Sequence, residues 1–335
     1  MILVTGAGGE IGQSLIAALA ERGEELLAVD LRPLPNDTAA LCAETITADI
    51  CSAELHAQLR RKPIRTIFHL AAILSSQAER EPELAHRVNV EGTLLLLQTA
   101  HYLGKQHRAP VLFLFPSSIA VYGLPSREEK LRVGKVSEEQ FLTPMTIYGA
   151  SKLYCELLGQ YYARYYRRLA DEVESGWIDF RALRFPGLLS AFTRPTGGTS
   201  DYAPEMVHAA AEGKPYDCFV TPDTWLPFMA MPDAIRALLL LATAPAERLR
   251  RTAYNVTAFS VSAATIAELV AELFPGAQIQ FRPDPRRQAI VDTWPADIDD
   301  SAARSDWDWA PEYDLQRTFT EYLAPNIARR YRLDC

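Results

Sequence analysis

The feature that most constrains the fold is a glycine-rich turn directly after the first apolar run of the chain. Gly6-Ala7-Gly8-Gly9-Glu10-Ile11-Gly12 follows Ile2–Thr5 and opens a helical pattern. Glycines at 6, 9 and 12 allow a tight turn, a close approach of the backbone to a pyrophosphate, and a helix N-terminus directed at that anion. A flexible turn is the alternative interpretation, and the context of the motif decides between the two.

That context is an acidic residue at the end of the next predicted strand. Asp30 lies eighteen residues after Gly12, where a carboxylate binds both hydroxyls of an adenine ribose and repels a 2′-phosphate. The position favours NAD over NADP, although Arg32 close by weakens the preference. Asp49 and Ile50, just after the third predicted strand, are expected to cover the adenine. The motif therefore predicts dinucleotide binding.

The first half of the chain alternates short apolar runs with longer helical patterns. This alternation predicts a Rossmann-like doubly wound parallel sheet in an α/β fold, and strands that are apolar along nearly their whole length suit burial on both faces. The predicted strands are Ile2–Thr5, Leu26–Asp30, Glu44–Thr47, Thr66–His69, Val111–Phe115 and Trp177–Leu183. The predicted helices are Ile11–Arg22, Ala53–Arg60, Pro82–Leu103 and Ile147–Tyr166.

The second half has a different texture. Proline and glycine become dense after about residue 185, and the predicted helices Met231–Ala242 and Ala263–Leu273 lie among loops. This predicts a smaller α+β lobe. We expect an NAD-binding domain over residues 1–185 and a substrate-binding lobe over 186–335, with the two interleaved at the boundary.

Composition excludes several classes of protein. The 335 residues are 48% hydrophobic and 23% charged, as in a globular protein, and the net charge of −8 makes nucleic acid an improbable partner. No apolar run approaches the roughly 20 residues of a membrane-spanning helix. Five scattered cysteines never spaced CxxC predict a reduced, cytoplasmic protein without disulfides, and neither they nor the six histidines predict a metal site.

Two further motifs indicate proton-transfer chemistry. Tyr148 and Lys152 are four residues apart and therefore share one face of a predicted helix. A nearby ammonium and the positive ring of an oxidised nicotinamide stabilise a phenolate, which can take the proton of a substrate hydroxyl while hydride leaves. An ordinary amphipathic helix is the alternative. Ser117 and Ser118 follow the fifth predicted strand, at the sheet edge where ligands bind. A serine there can hydrogen-bond the reacting oxygen, and a turn cap is the alternative interpretation.

In this order, the glycine loop, Asp30, the serine pair and the Tyr/Lys pair resemble the extended short-chain dehydrogenase/reductase superfamily over nearly the whole chain. The resemblance implies that Tyr148 is the catalytic acid/base, that Lys152 lowers its pKa and holds the nicotinamide ribose, and that Ser118 orients the substrate oxygen. The cofactor-binding residues that it implies or that the motifs indicate are Gly6, Gly9, Glu10, Ile11, Gly12, Asp30, Arg32, Asp49, Ile50, Leu70, Ala71, Ala72, Asn89, Ser117, Tyr148, Lys152 and Phe185.

Within that superfamily, segments of the second half resemble short-chain-type L-threonine 3-dehydrogenases. The matching segments are 195–202, 223–229, 231–236, 287–295 and 299–309. Three departures stand out: Trp225 replaces a usually basic residue, Thr196-Gly197-Gly198 replaces three glycines of a lid, and the segment Arg164–Gly176 is longer than usual. The first two affect positions that could change substrate preference.

The resemblance implies oxidation of the L-threonine β-hydroxyl to 2-amino-3-ketobutyrate with NAD. Ser75, Thr199 and Trp294 would shape the substrate pocket together with Ser118 and Tyr148, although a helix cap, a loop residue and a packed aromatic are the alternative interpretations of the first three. The two long helices at Pro82–Leu103 and Ile147–Tyr166 are apolar on more than one side, and tyrosines cluster on the second. The resemblance implies that they pair with their copies in a homodimer, and packing of these faces within the chain is the alternative interpretation.

Two other functions fit the same motifs. A nucleotide-sugar 4-epimerase or dehydratase shares them and would need basic residues for a diphosphate. The candidates are Arg194, Lys214, Arg282, Arg286 and Arg287. A non-catalytic NAD sensor would be expected to have lost Tyr148, Lys152 or the serine loop, and all three are intact.

Overall fold

The computed structural model describes residues 1–195 and 198–333. The chain forms two compact units, each assembled from three segments. The first unit contains Met1–Ser118, Ile147–Arg184 and Ala237–Tyr254, and the second contains Ile119–Thr146, Phe185–Arg236 and Asn255–Cys335. The units are therefore interleaved in sequence.

The first unit is built on a seven-stranded sheet. The strands are β1 (Ile2–Thr5), β2 (Leu26–Asp30), β3 (Glu44–Thr47), β4 (Thr66–His69), β5 (Val111–Ser118), β7 (Ile178–Phe185) and β11 (Ala253–Asn255), the last two running to or just past the edge of the unit. Their order across the sheet is β3-β2-β1-β4-β5-β7-β11, and neighbours from β3 to β5 are parallel. The predicted doubly wound α/β fold is confirmed.

Helices connect these strands. They are α1 (Glu10–Glu21), α2 (Asn36–Ala39), α3 (Ala53–Leu59), α4 (Ser75–Arg80), α5 (Pro82–His86), α6 (Gly92–His107) and α8 (Ile147–Arg164). The strand order reverses between β1 and β4, and at such a switch point the loops at the carboxyl ends of the strands diverge and leave a crevice for a ligand. The apolar side chains of Leu3, Leu27 and Ile67 lie on neighbouring strands of this sheet and are fully buried. Their removal from water stabilises the pairing of these strands.

Two predicted elements differ most from the structure, and the bounds of several others shift by one or two residues. The predicted helix Pro82–Leu103 is α5 and α6 joined by a π-helical turn at Arg87–Glu91, and α6 continues to His107. Strand β5 extends three residues beyond the predicted Phe115, so Ser117 and Ser118 end a strand instead of lying in the loop after it. The run Pro116-Ser117-Ser118 lacks the β-branched side chains that identify strands in sequence, and pairing within the sheet overrides that preference.

The second unit contains smaller sheets. One sheet has three strands, in the order β12 (Phe259–Ser262), β10 (Trp225–Ala230) and β8 (Gly187–Leu189). Two others have two strands each, β13 (Ile279–Phe281) with β9 (Tyr216–Cys218), and β14 (Asp297–Ile298) with β6 (Lys135–Val136). Its helices are α7 (Arg127–Val133), α9 (Tyr202–Ala211), α10 (Met231–Thr243, whose C-terminal half belongs to the first unit), α11 (Ala263–Leu273), α12 (Pro285–Asp292), α13 (Ser301–Trp307), α14 (Leu315–Arg317) and α15 (Ala324–Leu333).

Asn255 ties distant parts of the second unit together. Its side-chain amide donates to the carbonyl oxygens of Val136 and Asp299, both at 3.1 Å, and its Oδ1 accepts from the hydroxyl of Tyr122 at 2.7 Å. Both side chains are fully buried, so each bond satisfies a polar group that would be costly to leave unpaired.

Among the residues described, no helix has both the length and the hydropathy needed to cross a membrane. Over the same residues, no group of histidine, cysteine and carboxylate side chains is arranged to hold a metal ion.

Candidate active site

The glycine turn of the first unit leaves no room for side chains at two positions. A Cβ on Gly6, which has a φ of +65°, would lie 2.6 Å from the backbone nitrogen of Ala71, and one on Gly12 would lie 2.4 Å from the carbonyl oxygen of Gly6. Gly9 is the N-cap residue of α1 and brings no capping side chain. The backbone therefore turns tightly at the N-terminus of α1, where the glycine spacing predicts a bound pyrophosphate.

Asp30 closes this turn from the end of β2. Its Oδ2 accepts a hydrogen bond from the amide of Gly8 at 2.9 Å, and its Oδ1 accepts from the amide of Arg32 at 3.0 Å. An ionised carboxylate offers about four acceptor positions, so two remain for ribose hydroxyls. The predicted NAD-selective residue therefore lies beside the predicted phosphate-binding loop.

Asp49 is fixed by a residue that the sequence analysis missed. Its Oδ1 accepts from the amide of Cys51 at 2.8 Å, and its Oδ2 accepts from the guanidinium of Arg87 at 2.5 Å. Next to it, Ile50 is buried, and its carbonyl bonds to His56. Arg87 is 38 residues away in the chain, and no local pattern links it to Asp49.

Asn89, in the π-helical turn, holds the segment that follows β4. Its side-chain Oδ1 accepts from the amide of Ile73 at 2.7 Å, and its Nδ2 donates to the Ile73 carbonyl at 3.0 Å. The irregular turn also frees the Asn89 carbonyl, which accepts from the hydroxyl of Thr93 at 2.6 Å and from the thiol of Cys155 at 3.2 Å. π-helical turns of this kind are frequent at functional sites.

His69, at the end of β4, links β1 to the first turn of α6. Its Nδ1 lies 2.8 Å from the hydroxyl of Thr5, and its Nε2 lies 2.9 Å from the hydroxyl of Thr93. Burial, assisted by the nearby Lys152 charge, lowers the pKa of His69 to about 3. The imidazole is therefore neutral and serves as a structural bridge, and Thr5 and Thr93 become visible as site residues only in three dimensions.

Ser117 provides the test of whether the groove fits a dinucleotide. It is 3% exposed, and its hydroxyl has no hydrogen-bond partner among the residues that the structure describes. A buried hydroxyl without a partner is costly unless a ligand supplies one. The Ser117 hydroxyl, the crowded glycine turn and Asp30 are therefore residues that fit a bound NAD.

Tyr148, Lys152 and Ser118 come together in the first unit. Ser118 makes a side-chain hydrogen bond to Tyr148. The ammonium of Lys152 donates to the carbonyl of Pro116 at 2.6 Å and lies 5.7 Å from the centre of the Tyr148 ring and 4.6 Å from that of Phe115. The Pro116 carbonyl in β5 thereby holds the Lys152 ammonium close to the Tyr148 ring.

Burial governs the ionisation of this group. It raises the pKa of Tyr148 to about 12, and the hydrogen bond from Ser118 opposes that rise. Burial also lowers the pKa of Lys152 to about 8, against the attraction of Cys155 and Glu156. Without further positive charge the phenol thus stays protonated at neutral pH.

The remaining predicted site residues are distributed over the two units. Ser75 begins α4 of the first unit and is buried. In the second unit, Thr199 and Trp294 are 2% and 5% exposed, and the indole nitrogen of Trp294 has no partner among the described residues. Phe185 ends β7. Thr196 and Gly197 of the predicted lid lie outside the described residues.

The basic residues considered for a sugar-nucleotide diphosphate have protein partners in most cases. Arg194 and Lys214 face Glu212 at 3.6 and 3.2 Å, and Arg282 faces Asp217 at 3.2 Å. Arg287 donates to the carbonyl of Gly198 at 2.8 Å, while Arg286 is exposed. These contacts disfavour a preformed diphosphate clamp.

Comparison with known proteins defines the class. The sequence profile of the NAD dependent epimerase/dehydratase family matches residues 2–257. The chain is 36% identical over 325 residues to the mitochondrial L-threonine 3-dehydrogenase of Bos taurus, covering 96% of this chain and 81% of that protein.

Solved structures agree with the sequence comparison. The apo form of a monomeric L-threonine 3-dehydrogenase from a metagenome database superposes with a TM-score of 0.86 at 36% identity, over 99% of this chain and 100% of that chain. MoeE5 in complex with UDP-glucuronic acid and NAD superposes with a TM-score of 0.78 at 26% identity, over 98% of this chain and 99% of that chain.

The chain belongs to the NAD-dependent epimerase/dehydratase family and is an NAD-dependent oxidoreductase. Within that family it is similar to the L-threonine 3-dehydrogenases in both sequence and structure. The predicted family and cofactor are confirmed.

Proposed function

We propose that the protein oxidises the β-hydroxyl of L-threonine to 2-amino-3-ketobutyrate with NAD as the oxidant. The observation that carries the chemistry is the hydrogen-bonded Ser118–Tyr148 pair, with the Lys152 ammonium 5.7 Å from the phenol ring. The choice of substrate is supported by the similarity to threonine dehydrogenases over nearly the full chain.

In this mechanism Tyr148 takes the proton of the substrate hydroxyl, and Ser118 orients the reacting oxygen. Bound NAD supplies the hydride acceptor and, in its oxidised form, a positive charge. The pKa of Tyr148 is raised to about 12 by burial, so the phenolate needs every nearby positive charge. Lys152, whose burial-lowered pKa is about 8, supplies one below that pH.

We propose that the first unit holds NAD and that the second supplies substrate contacts. The glycine turn receives the pyrophosphate, Asp30 the adenine ribose, and Ser117 offers its unpartnered hydroxyl. Thr199 and Trp294 of the second unit are the proposed substrate contacts, with Ser75 from the first.

The test is NADH formation, followed by its absorbance, with purified protein, NAD and L-threonine. Turnover that disappears in Tyr148→Phe, while NAD binding persists, supports both the reaction and the role of the phenol. An absence of turnover in wild-type protein that co-purifies with tightly bound NAD contradicts the proposal. That outcome would favour a nucleotide-sugar epimerase or dehydratase, which returns its hydride to the substrate.

We also propose a homodimer formed through α6 and α8. Four apolar or aromatic side chains on these helices, Tyr102, Tyr154, Leu157 and Tyr161, are each more than 40% exposed, and a second copy would cover them. The metagenomic relative is described as monomeric, so the assembly needs its own test. Sedimentation of the wild-type protein should give twice the mass found for Leu157→Lys, and a monomer at micromolar concentration contradicts the proposal.

Finally, we propose a cytoplasmic location. The described cysteines, Cys42, Cys51, Cys155 and Cys218, are free thiols, as expected in a reducing compartment. The bovine relative is mitochondrial, and cell fractionation with a marker for each compartment would distinguish the two.

A further inference from the structure

Helix α12 of the second unit adjoins three segments that bear on the substrate. Arg287 near its start contacts the turn that contains Thr199. Gln288 contacts the loop that precedes Trp225, and the helix ends two residues before Trp294. One short helix therefore connects two of the proposed substrate contacts with a position at which the sequence departs from its relatives.

The contact between Arg287 and the Thr199 turn is specific in geometry. The guanidinium Nη2 donates to the carbonyl oxygen of Gly198 at 2.8 Å, and the guanidinium carbon lies 3.1 Å from the centre of the Phe219 ring. Phe219 is only 7% exposed, so the stacked arginine rests on a fixed surface. Planar stacking combined with a directed hydrogen bond is a role that a lysine reproduces only in part.

The turn that Arg287 holds is itself closed by two hydrogen bonds. The amide of Gly198 donates to Oδ2 of Asp201 at 2.6 Å, and the amide of Asp201 donates back to the Gly198 carbonyl at 3.3 Å. Thr199 lies inside this turn and is 2% exposed. A shift of the Gly198 carbonyl would consequently move Thr199 with it.

The helix that carries Arg287 is anchored at both ends. Asp284 caps its start by accepting from the amides of Arg286 and Arg287. Gln288 accepts from the amide of Thr221 at 2.8 Å and donates to the hydroxyl of Thr224 at 3.1 Å. Beyond these, the ammonium of Lys130 donates to the carbonyl of Val291 at 3.0 Å. Arg287 is thus held on a rigid support.

We propose that Arg287 is a positioning residue that fixes Thr199 for substrate binding. Arg287 acts in this role through the Gly198 carbonyl, so its loss should weaken the binding of L-threonine while leaving the chemistry and the NAD site largely intact. The inference deepens the proposed threonine oxidation and rests on it, whereas the structural part of the claim can be measured without turnover.

The kinetic test compares Arg287→Ala and Arg287→Lys with Arg286→Ala, which changes the exposed neighbour on the same helix. A hydrogen bond from a charged donor corresponds to roughly a tenfold to hundredfold change in binding. We expect KM for L-threonine to rise by about that factor in Arg287→Ala, with an intermediate rise in Arg287→Lys, because a lysine still donates but does not stack. KM for NAD should stay constant, and Arg286→Ala should match wild type.

The structural test is hydrogen–deuterium exchange of the peptide that spans Gly198–Tyr202. Exchange there should be faster in both Arg287 variants than in wild type and Arg286→Ala, with the rest of the second unit unchanged. Arg287→Lys keeps the charge and provides a folded comparison if Arg287→Ala does not fold.

Unchanged exchange in this peptide, or a fall in kcat at constant KM for L-threonine, would overturn the proposal. A further outcome distinguishes the positioning role of Arg287 from the proposed oxidation of L-threonine. Faster exchange in the variants of a protein whose wild type does not oxidise L-threonine supports the positioning role and rejects the proposed substrate.

Discussion

The two units of the protein encode their proposed sites in different ways. In the first, the glycine turn and the Tyr148/Lys152 pair are short motifs, and each is placed by the secondary structure that surrounds it. In the second, Thr199 is held by Arg287 from 88 residues further along the chain, and the helix that carries Arg287 is held by Lys130 from another segment.

This difference has a physical origin. Within a strand followed by a helix, the regular backbone geometry sets the distances between residues, so the spacing of a motif in sequence predicts its arrangement in space. A pocket assembled from loops depends on contacts whose partners are far apart in sequence. Variants of the first unit should therefore alter cofactor binding and chemistry, whereas variants of the second should alter substrate affinity and stability.

The largest expected effect is on kcat, and it should distinguish Ser118 from its neighbour Ser117 in the first unit. Ser118→Ala removes the hydrogen bond that favours the Tyr148 phenolate. The pKa of Tyr148 then rises further, so the alkaline rise of kcat moves to higher pH, and kcat at neutral pH falls roughly a hundredfold to a thousandfold. Ser117→Ala, its matched control, should instead raise KM for NAD because its hydroxyl is proposed to meet the cofactor.

Steady-state kinetics over a pH series decides this prediction. The assignment of Ser118 fails if the two variants show the same pH profile, or if Ser118→Ala changes only KM for NAD.

A second, smaller effect concerns the glycine turn. Gly6 and Gly23 both have positive φ, +65° and +74°, but only at Gly6 would a Cβ meet other atoms, 2.6 Å from the nitrogen of Ala71. Gly23→Ala should lower the free energy of unfolding by about 1 kcal/mol through backbone strain alone. Gly6→Ala adds an overlap with fixed backbone and should cost about 3 kcal/mol in total, with loss of NAD binding.

Urea unfolding and NAD titration of both variants measure this difference. Equal destabilisation by the two substitutions would show that positive φ, and not the approach of Ala71, accounts for glycine at position 6.

The sequence predicted the sheet and the motif residues because their signals are local. Apolar runs identified β1, β2, β3 and β4 with their observed bounds, and residues four apart on one helix placed Lys152 near Tyr148. The extension of β5 through Ser118 was missed, since neighbouring strands impose it on residues without strand preference.

Long-range partners could not be predicted. Arg87 beside Asp49 and Thr93 beside His69 are 38 and 24 residues apart in sequence. In the second unit, Arg287 was considered only as a candidate for binding a diphosphate, because nothing in its neighbourhood indicates Gly198 or Phe219. Such pairings follow from how distant segments pack, and a single sequence does not contain that information in local form.

The smallest expected effect tests the support of the second unit. Lys130 is 2% exposed, and burial lowers the pKa of its ammonium from 10.5 to about 8. The unfolded chain therefore binds more protons between these two pH values, and the stability of the wild type rises with pH across that window. Below about pH 8 the folded protein carries the full cost of a buried charge, which at 1.36 kcal/mol per pKa unit is at most about 3 kcal/mol.

Lys130→Met removes this titration and keeps a side chain of similar length. The Val291 carbonyl that Lys130 bonds also accepts from the amide of Trp294 at 3.1 Å, so it stays satisfied. The variant should consequently be about 1–2 kcal/mol more stable than wild type at neutral pH, after loss of one hydrogen bond, and this advantage should shrink towards pH 10.5. A constant difference between Lys130→Met and wild type, measured by urea unfolding at neutral pH and near pH 10.5, would mean that the folded protein carries no buried charge at this position.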